Sequence, residues 1–274
     1  MDEKNGMNAE MGEIYKKENL ARIGKKIIVM SGKGGVGKST VATNLVYGLA
    51  LQGKRVGILD VDVHGPSVGK LMGIEGKKLG APSSDHRPTP VKVSENIYAL
   101  TMASMLESPD TPVVWRGPLK TGAIKQFLQD IEWPELDYLV VDCPPGTGDE
   151  PLTVVQLMGG MDGAVIVTTP QDIALLDARK TINFSKQMGV EVLGIVENMS
   201  GFICPHCGET VDIFKTGGGQ KAADDFGVEL LGKIPLDANI VEAGDKGRPF
   251  IYDYNKLPAA GEYERIVMRI IEKA

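Results

Sequence analysis

Three groups of residues carry side chains of the right type and spacing for chemistry: a glycine-rich stretch with two lysines, a set of acids at the ends of apolar runs, and a pair of cysteines. The glycine-rich stretch is Gly32-Lys33-Gly34-Gly35-Val36-Gly37-Lys38-Ser39, followed by Thr40. It satisfies G-x-x-x-x-G-K-[ST], in which glycines let backbone N–H groups converge on phosphate oxygens with no Cβ in the way. Lys38 is placed to bridge the outer phosphates, Ser39 to give its hydroxyl to Mg²⁺, and Thr40 to add a hydrogen bond nearby. An apolar run at 27–30 enters the stretch as a buried strand. The spacing of Val41, Leu45, Val46 and Leu49 leaves it as one face of a helix, the context a phosphate-binding loop requires. Lys33 is surplus to that task.

The acids follow the same logic. Asp142 ends the apolar run of strand 138–142, where a carboxylate beside a phosphate loop holds Mg²⁺ through water. Gly146, in the Cys-Pro-Pro-Gly that comes next, would let its N–H approach a γ-phosphate. Asp60 and Asp62 stand at alternate positions where strand 55–60 ends, and are expected to point in different directions and do different jobs. Capping of the turn into the following helix is the plainer alternative for both. Asn198 ends another strand and can present a donor and an acceptor to a base edge, which suits N6 and N7 of adenine; a turn asparagine is the alternative. The chain has no N/T-K-x-D string of the kind that reads guanine, so ATP is the expected nucleotide.

Cys204 and Cys207 form a C-x-x-C pair that can converge on one soft metal centre. Three chemistries compete. A tetrahedral zinc site needs four ligands and the chain has no second such pair, with Cys143 lying in the segment after Asp142 and His206 between the two thiols. A thiol–disulfide exchange site needs its first cysteine at a helix N-terminus, and no helical pattern follows Gly208. The third is a [4Fe–4S] cluster bridging two subunits, to which each would contribute two thiolates across a twofold axis.

The elements that must position these groups alternate regularly. Strands are expected at 27–30, 55–60, 97–100, 138–142, 163–168, 192–196 and 230–234. Helices are expected at 66–72, 117–131, 173–188, 216–226, 239–243 and 258–272, the second burying Leu119, Ile124, Phe127, Leu128 and Ile131. Near-continuous apolar strands interleaved with amphipathic helices specify an α/β, doubly wound, mainly parallel sheet covered on both faces, with ligands at the strands' carboxyl ends. Residues 1–24 are polar and read as a flexible tail or a short loosely docked helix, and 25–274 as one domain; the stretch 73–90 reads as an exposed excursion.

Composition agrees with this class. The 274 residues are 42% hydrophobic and 24% charged, as in ordinary globular chains. A net charge of -6 argues against broad nucleic-acid binding. With no apolar run near the ~20 residues needed to span a bilayer and no signal-peptide core, a cytoplasmic location is expected.

The string KGGVGKST (33–40) resembles the deviant Walker A motif of the MinD/ParA/nitrogenase-iron-protein class of P-loop ATPases. Together with DVDVHGPS (60–67), WRGP (115–118), DCPPGTGD (142–149), TPQD (169–172), ENMSGFICPHCG (197–208) and IFKTGGG (213–219), it resembles the Mrp/ApbC family of iron–sulfur cluster carrier ATPases over about 25–274. The resemblance implies a MinD-like P-loop fold and ATP hydrolysis with Mg²⁺. It implies a homodimer that assembles a labile [4Fe–4S] cluster on Cys204 and Cys207, with zinc able to replace it in air, and passes it to apo iron–sulfur proteins. It assigns Lys33 to the phosphates of the other subunit, Asp62 to the attacking water, Asp60 to the neighbourhood of Mg²⁺, and Asn198 to adenine. His64 replaces an aromatic residue common in the family, where a packing role is expected. Neither the additional N-terminal domain nor the N-terminal cysteine motif of some members is found, so functions tied to them are not expected. A MinD- or ParA-like positioning ATPase and a nitrogenase-iron-protein-like reductase share the motor. The first needs no cysteine pair, the second takes its ligands from cysteines far apart in sequence, and stable membrane association is not expected.

Overall fold

The computed structural model describes residues 2–62, 65–80, 87–105, 117–204 and 206–274. Its centre is β1 (Ile23–Met30), flanked in parallel by β5 (Leu136–Asp142) and β6 (Gly163–Thr168). Outward from β5 lie β2 (Val56–Asp60), β4 (Ile97–Thr101) and the short antiparallel β3 (Val91–Lys92). Outward from β6 lies β7 (Val192–Ile203), which pairs in parallel with β9 (Leu230–Leu236) and, past a bend, antiparallel with β8 (Thr210–Val211). The strand order β3-β4-β2-β5-β1-β6-β7-β8, with β9 beside β7, makes the doubly wound sheet expected from the pattern.

Two apolar layers cover the faces. On one, α2 (Lys38–Leu51) and α10 (Pro258–Lys273) pack on the sheet, and Val267 lies so close to Gly48 that a Cβ there would stand 2.6 Å from it. Ile266, Val267 and Ile270 are buried in that contact, so the apolar side of α10 is spent on its own domain. On the other face lie α4 (Gly117–Gln129), α5 (Asp149–Leu157) and α6 (Asp172–Gln187). Short helices α3 (Val68–Leu71), α7 (Gly218–Phe226), α8 (Ala238–Asp245) and α9 (Phe250–Asp253) complete the fold. No helix among the described residues is long and apolar enough to cross a membrane.

Four local expectations change. The N-terminal segment is a helix, α1 (Asp2–Ala21), neither a tail nor short. Its last turn is tied down by the fully buried Asn19, whose Nδ2 donates to the carbonyls of Leu128 and Ile131 and whose Oδ1 accepts from the Trp133 N–H. Leu119 faces solvent at 62% exposure while Ile124, Phe127 and Leu128 are buried; five residues before Ile124, it falls on another side of a helix with 3.6 residues per turn. β7 continues well beyond Val196, and α5 follows Gly148 where the sequence offered no clear start. His64, Trp115, Arg116 and part of the 73–90 excursion lie outside the described residues.

Candidate functional site

β1 delivers the chain at Ser31 to a loop that turns through Gly35 and Gly37, with φ of +80° and +81°, before α2 begins. L-residues pay steric cost in that region and glycine does not. The α2 N-terminus has no side-chain cap and no acid in its first turn. Its orphan N–H groups and partial positive charge are therefore left for an anion from outside the chain. A cleft of about 290 Å³ opens over them, lined by Lys33, Gly34, Gly35, Gly37, Lys38, Ser39 and Thr40 from the loop and by Asp62, Ser67 and Pro145 from neighbouring strand ends.

Lys38 is almost fully buried, and its Nζ lies 2.5 Å from Oδ1 of Asp142 and 3.2 Å from the Ser39 hydroxyl. Burial raises the Asp142 carboxyl above the usual carboxylate range, while Lys38 pulls it back. The other oxygen, Oδ2, is buried without a hydrogen-bond partner. A buried carboxylate oxygen left without a donor, on a residue beside the Lys38–Ser39 corner of the loop, fits a hydrated divalent cation. Lys33, by contrast, is exposed at the rim of the cleft, where Ser31 Oγ donates to its carbonyl at 3.0 Å.

Asp60 and Asp62 do separate, as expected. Asp60 lies beside Asp142 across the parallel β2–β5 register and is fully buried. Its Oδ1 accepts from the Asp62 N–H and its Oδ2 from Thr101 Oγ1, both at 3.0 Å. Burial, followed by the nearby Asp142 charge, pushes its carboxyl upward. Asp60 is thus engaged in holding the loop that carries Asp62. Asp62 lines the cleft, with Oδ1 accepting from the Gly65 N–H at 3.1 Å. Gly146, at φ +98°, donates its N–H to the Ser31 carbonyl at 2.7 Å and so ties the segment after Asp142 to the start of the loop.

Asn198 backs the loop. Its Nδ2 donates to the Val36 carbonyl at 2.8 Å, and a Cβ on Gly37 would stand only 2.2 Å from that nitrogen. The amide is therefore packed behind the phosphate loop, a role that spacing alone did not reveal.

Beyond Asn198, β7 bulges. Asn198 pairs with Ile234 and Phe202 with Leu236, so β7 spends two more residues than β9 across the interval, with Met199 at φ +56° and Gly201 at +79°. The strand then enters a hairpin with β8 whose tip holds Cys204 and Cys207. The Cys204 N–H donates to the Glu209 carbonyl and the Gly208 N–H to the Cys204 carbonyl, both at 2.9 Å. The backbone N–H groups of Cys207 and then His206 are directed at the Cys204 sulfur, and they hold that thiol below its ordinary pKa. Donors to sulfur favour the thiolate, the form that ligates metal. Cys143 behaves oppositely: buried in the core, its thiol is pushed up and stays protonated. Cys207 is exposed. Among the described residues no group of three or more His, Cys, Asp or Glu side chains is assembled to hold a metal, so the two hairpin thiols form an open pair.

A residue the sequence reading passed over is Glu197, fully buried one position before Asn198, with oxygens that accept from Ser200 Oγ and from the N–H groups of Gly217 and Gly219. The available signal was an acid closing an apolar strand, followed twenty residues later by a run of three glycines. A buried carboxylate demands donors, and unobstructed glycine amides at a helix start supply them.

Comparison with known proteins agrees with this geometry. Residues 22–271 match the ParA family described as NUBPL iron-transfer P-loop NTPase. An iron–sulfur cluster carrier protein of Methanocaldococcus jannaschii is 49% identical over 258 residues, covering 94% of this chain and 87% of the relative. One of Saccharolobus solfataricus is 47% identical over 253 residues, covering 92% and 85%. Among solved structures, a nucleotide-binding protein of Archaeoglobus fulgidus in complex with ADP superposes with a TM-score of 0.76 at 43% identity, covering 86% of this chain and 92% of that one. The cell division ATPase MinD of Pyrococcus furiosus superposes with a TM-score of 0.67 at 25% identity, covering 92% and 100%.

Proposed function

The chain belongs to the ParA family of NUBPL iron-transfer P-loop NTPases, and from that premise we propose that it is an ATP-hydrolysing iron–sulfur cluster carrier. Two copies hold one [4Fe–4S] cluster between their Cys204 and Cys207 thiolates and release it to apo iron–sulfur proteins. The observation that carries this reading is the cysteine pair at the tip of the β7–β8 hairpin, which offers only half of a four-thiolate ligand set from one chain. A second copy related by a twofold axis supplies the other half. The homologous carrier proteins and the ADP complex of the Archaeoglobus relative support the same combination of nucleotide and cluster.

In the nucleotide cleft, the chain's own groups divide the work. The loop amides and the α2 N-terminus receive phosphate oxygens, and Lys38 leaves Asp142 to neutralise the outer phosphates. Ser39 and the unpartnered oxygen of Asp142 are the groups that fit Mg²⁺, which when bound supplies charge neutralisation along the phosphate chain. Asp62 orients the attacking water. Lys33, exposed at the rim, reaches the nucleotide of the facing copy, which makes hydrolysis depend on dimer closure. Asn198 supports the phosphate loop from behind through its bond to the Val36 carbonyl, and an adenine contact for it is part of the proposal. The cytoplasm, where thiols stay reduced, is the compartment that suits this chemistry. A MinD-like membrane organiser is less well supported, because the α10 face that would anchor it is buried in the domain.

Anaerobic reconstitution with iron and sulfide tests the proposal. Wild-type protein is expected to develop broad iron–sulfur absorption with about four irons per dimer, and Cys204→Ala or Cys207→Ala to lose it. Full cluster uptake by either variant refutes the assignment.

A further inference from the structure

Glu197 is a carboxyl buried inside the sheet, flanked by Thr168 of β6 on one side and Lys233 of β9 on the other. A buried carboxylate persists only where donors meet its oxygens. Those donors come from both ends of one excursion. Oε1 accepts from Ser200 Oγ and, at 3.4 Å, from the Gly217 N–H, and Oε2 accepts from the Gly219 N–H. Ser200 opens the excursion that carries Cys204 and Cys207, and Gly217 closes it. The approach needs glycine: a Cβ on Gly219 would stand 2.9 Å from the Glu197 Cβ, and one on Gly218 would stand 2.6 Å from the Pro170 carbonyl oxygen.

The next residue holds the other centre. Asn198 donates to the Val36 carbonyl of the phosphate loop, and successive residues of a strand face opposite ways. Two adjacent positions of β7 therefore grip the phosphate loop and the base of the cysteine hairpin, with the bulge at Met199 immediately after them. Resting on the carrier reading above, we infer that Glu197 is a positioning residue that staples the cysteine hairpin to β7 beside Asn198, so that a shift of the phosphate loop on nucleotide binding changes how Cys204 and Cys207 are presented to the cluster.

Iodoacetamide alkylation of each cysteine in the full chain, read by peptide mass spectrometry under anaerobic reducing conditions, tests this with and without AMP-PNP and Mg²⁺. In the wild type the nucleotide is expected to change the alkylation rate about fivefold, the lower end of ordinary coupling. Glu197→Gln keeps the volume but replaces an acceptor oxygen with a donor. It is expected to bring that ratio below about twofold while nucleotide affinity stays within about twofold of wild type, a split that general loosening of the fold would not produce. Ser200→Ala removes one donor at the edge of the excursion and leaves both glycine amides on the carboxylate. It is expected to give an intermediate ratio, and it carries the test should Glu197→Gln not fold. A wild-type ratio of one, or an undiminished ratio in the folded variants, overturns the inference. Iron uptake by the same wild-type preparation separates the two proposals: protein that binds cluster on both cysteines but shows no coupling keeps the carrier function and loses the staple.

Discussion

Replacing Lys38 by methionine keeps the length of the side chain and removes its charge, leaving Asp142 buried beside Asp60 with no cation in contact. In the wild type the Lys38 ammonium lies 2.5 Å from Asp142 Oδ1, and both groups are almost entirely withdrawn from water. Breaking a buried pair by deleting one partner costs about 3–5 kcal/mol, a large share of the roughly 5–15 kcal/mol that holds a domain folded. With a urea m-value of about 3 kcal/mol/M, the unfolding midpoint of nucleotide-free Lys38→Met should fall by about 1–1.7 M. The penalty should also depend on pH. Burial already raises the folded-state Asp142 carboxyl, and losing Lys38 removes the contributions that lower it. A carboxyl that binds its proton more tightly in the folded state contributes stability below its unfolded pKa and loses it as pH rises through the folded value. The variant should therefore lose more stability relative to wild type at about pH 8 than at about pH 5. Because the remaining charge is the source of the cost, Lys38→Met/Asp142→Leu should be more stable than Lys38→Met alone. Urea unfolding followed by circular dichroism reads all three quantities. An unchanged midpoint, or a loss that grows as pH falls, would refute the electrostatic account of this pair.

Two further substitutions probe the loop. Gly37→Ala places a methyl 2.2 Å from the Asn198 amide at φ +81°; left-handed strain of about 1–2 kcal/mol and displacement of the Val36 bond should weaken ATP binding about tenfold or more, and calorimetric affinity equal to wild type would contradict the packing. Lys33→Ala removes an exposed side chain from the rim, so ATP affinity is expected to stay within about threefold while hydrolysis falls by about 10³ or more, the loss typical of a missing trans charge; steady-state phosphate release at wild-type rates would remove Lys33 from catalysis.

The parts of the molecule that were legible in the sequence are those whose chemistry is local. A phosphate loop needs its glycines, lysine and serine within one turn of chain, and an acid after a buried strand is conspicuous against apolar neighbours. The cysteine pair declares itself by spacing. What escaped depends on distant partners. The strand expected at 192–196 was read as ending at Asn198, yet β7 continues to Ile203, because the bulge takes up the two extra residues and β8 re-pairs the strand. α1 is polar along its length and has no strong apolar stripe; its docking rests on Asn19 reaching carbonyls more than a hundred residues away. Leu119 was assigned to the core by its type, although its phase on the helix sets it outside. Asn198 and Glu197 are ordinary residues whose roles emerge only when the sheet brings the phosphate loop and a glycine turn to either side of one strand.

Native mass spectrometry of the anaerobically reconstituted chain tests the central claim most directly, because it reports stoichiometry and cluster content on the same particle. The expected species is two chains with about four irons and four sulfides, reverting to cluster-free protein when Cys204 or Cys207 is replaced. A single chain carrying the complete cluster, or a cluster-loaded pair that survives loss of either thiol, would contradict it.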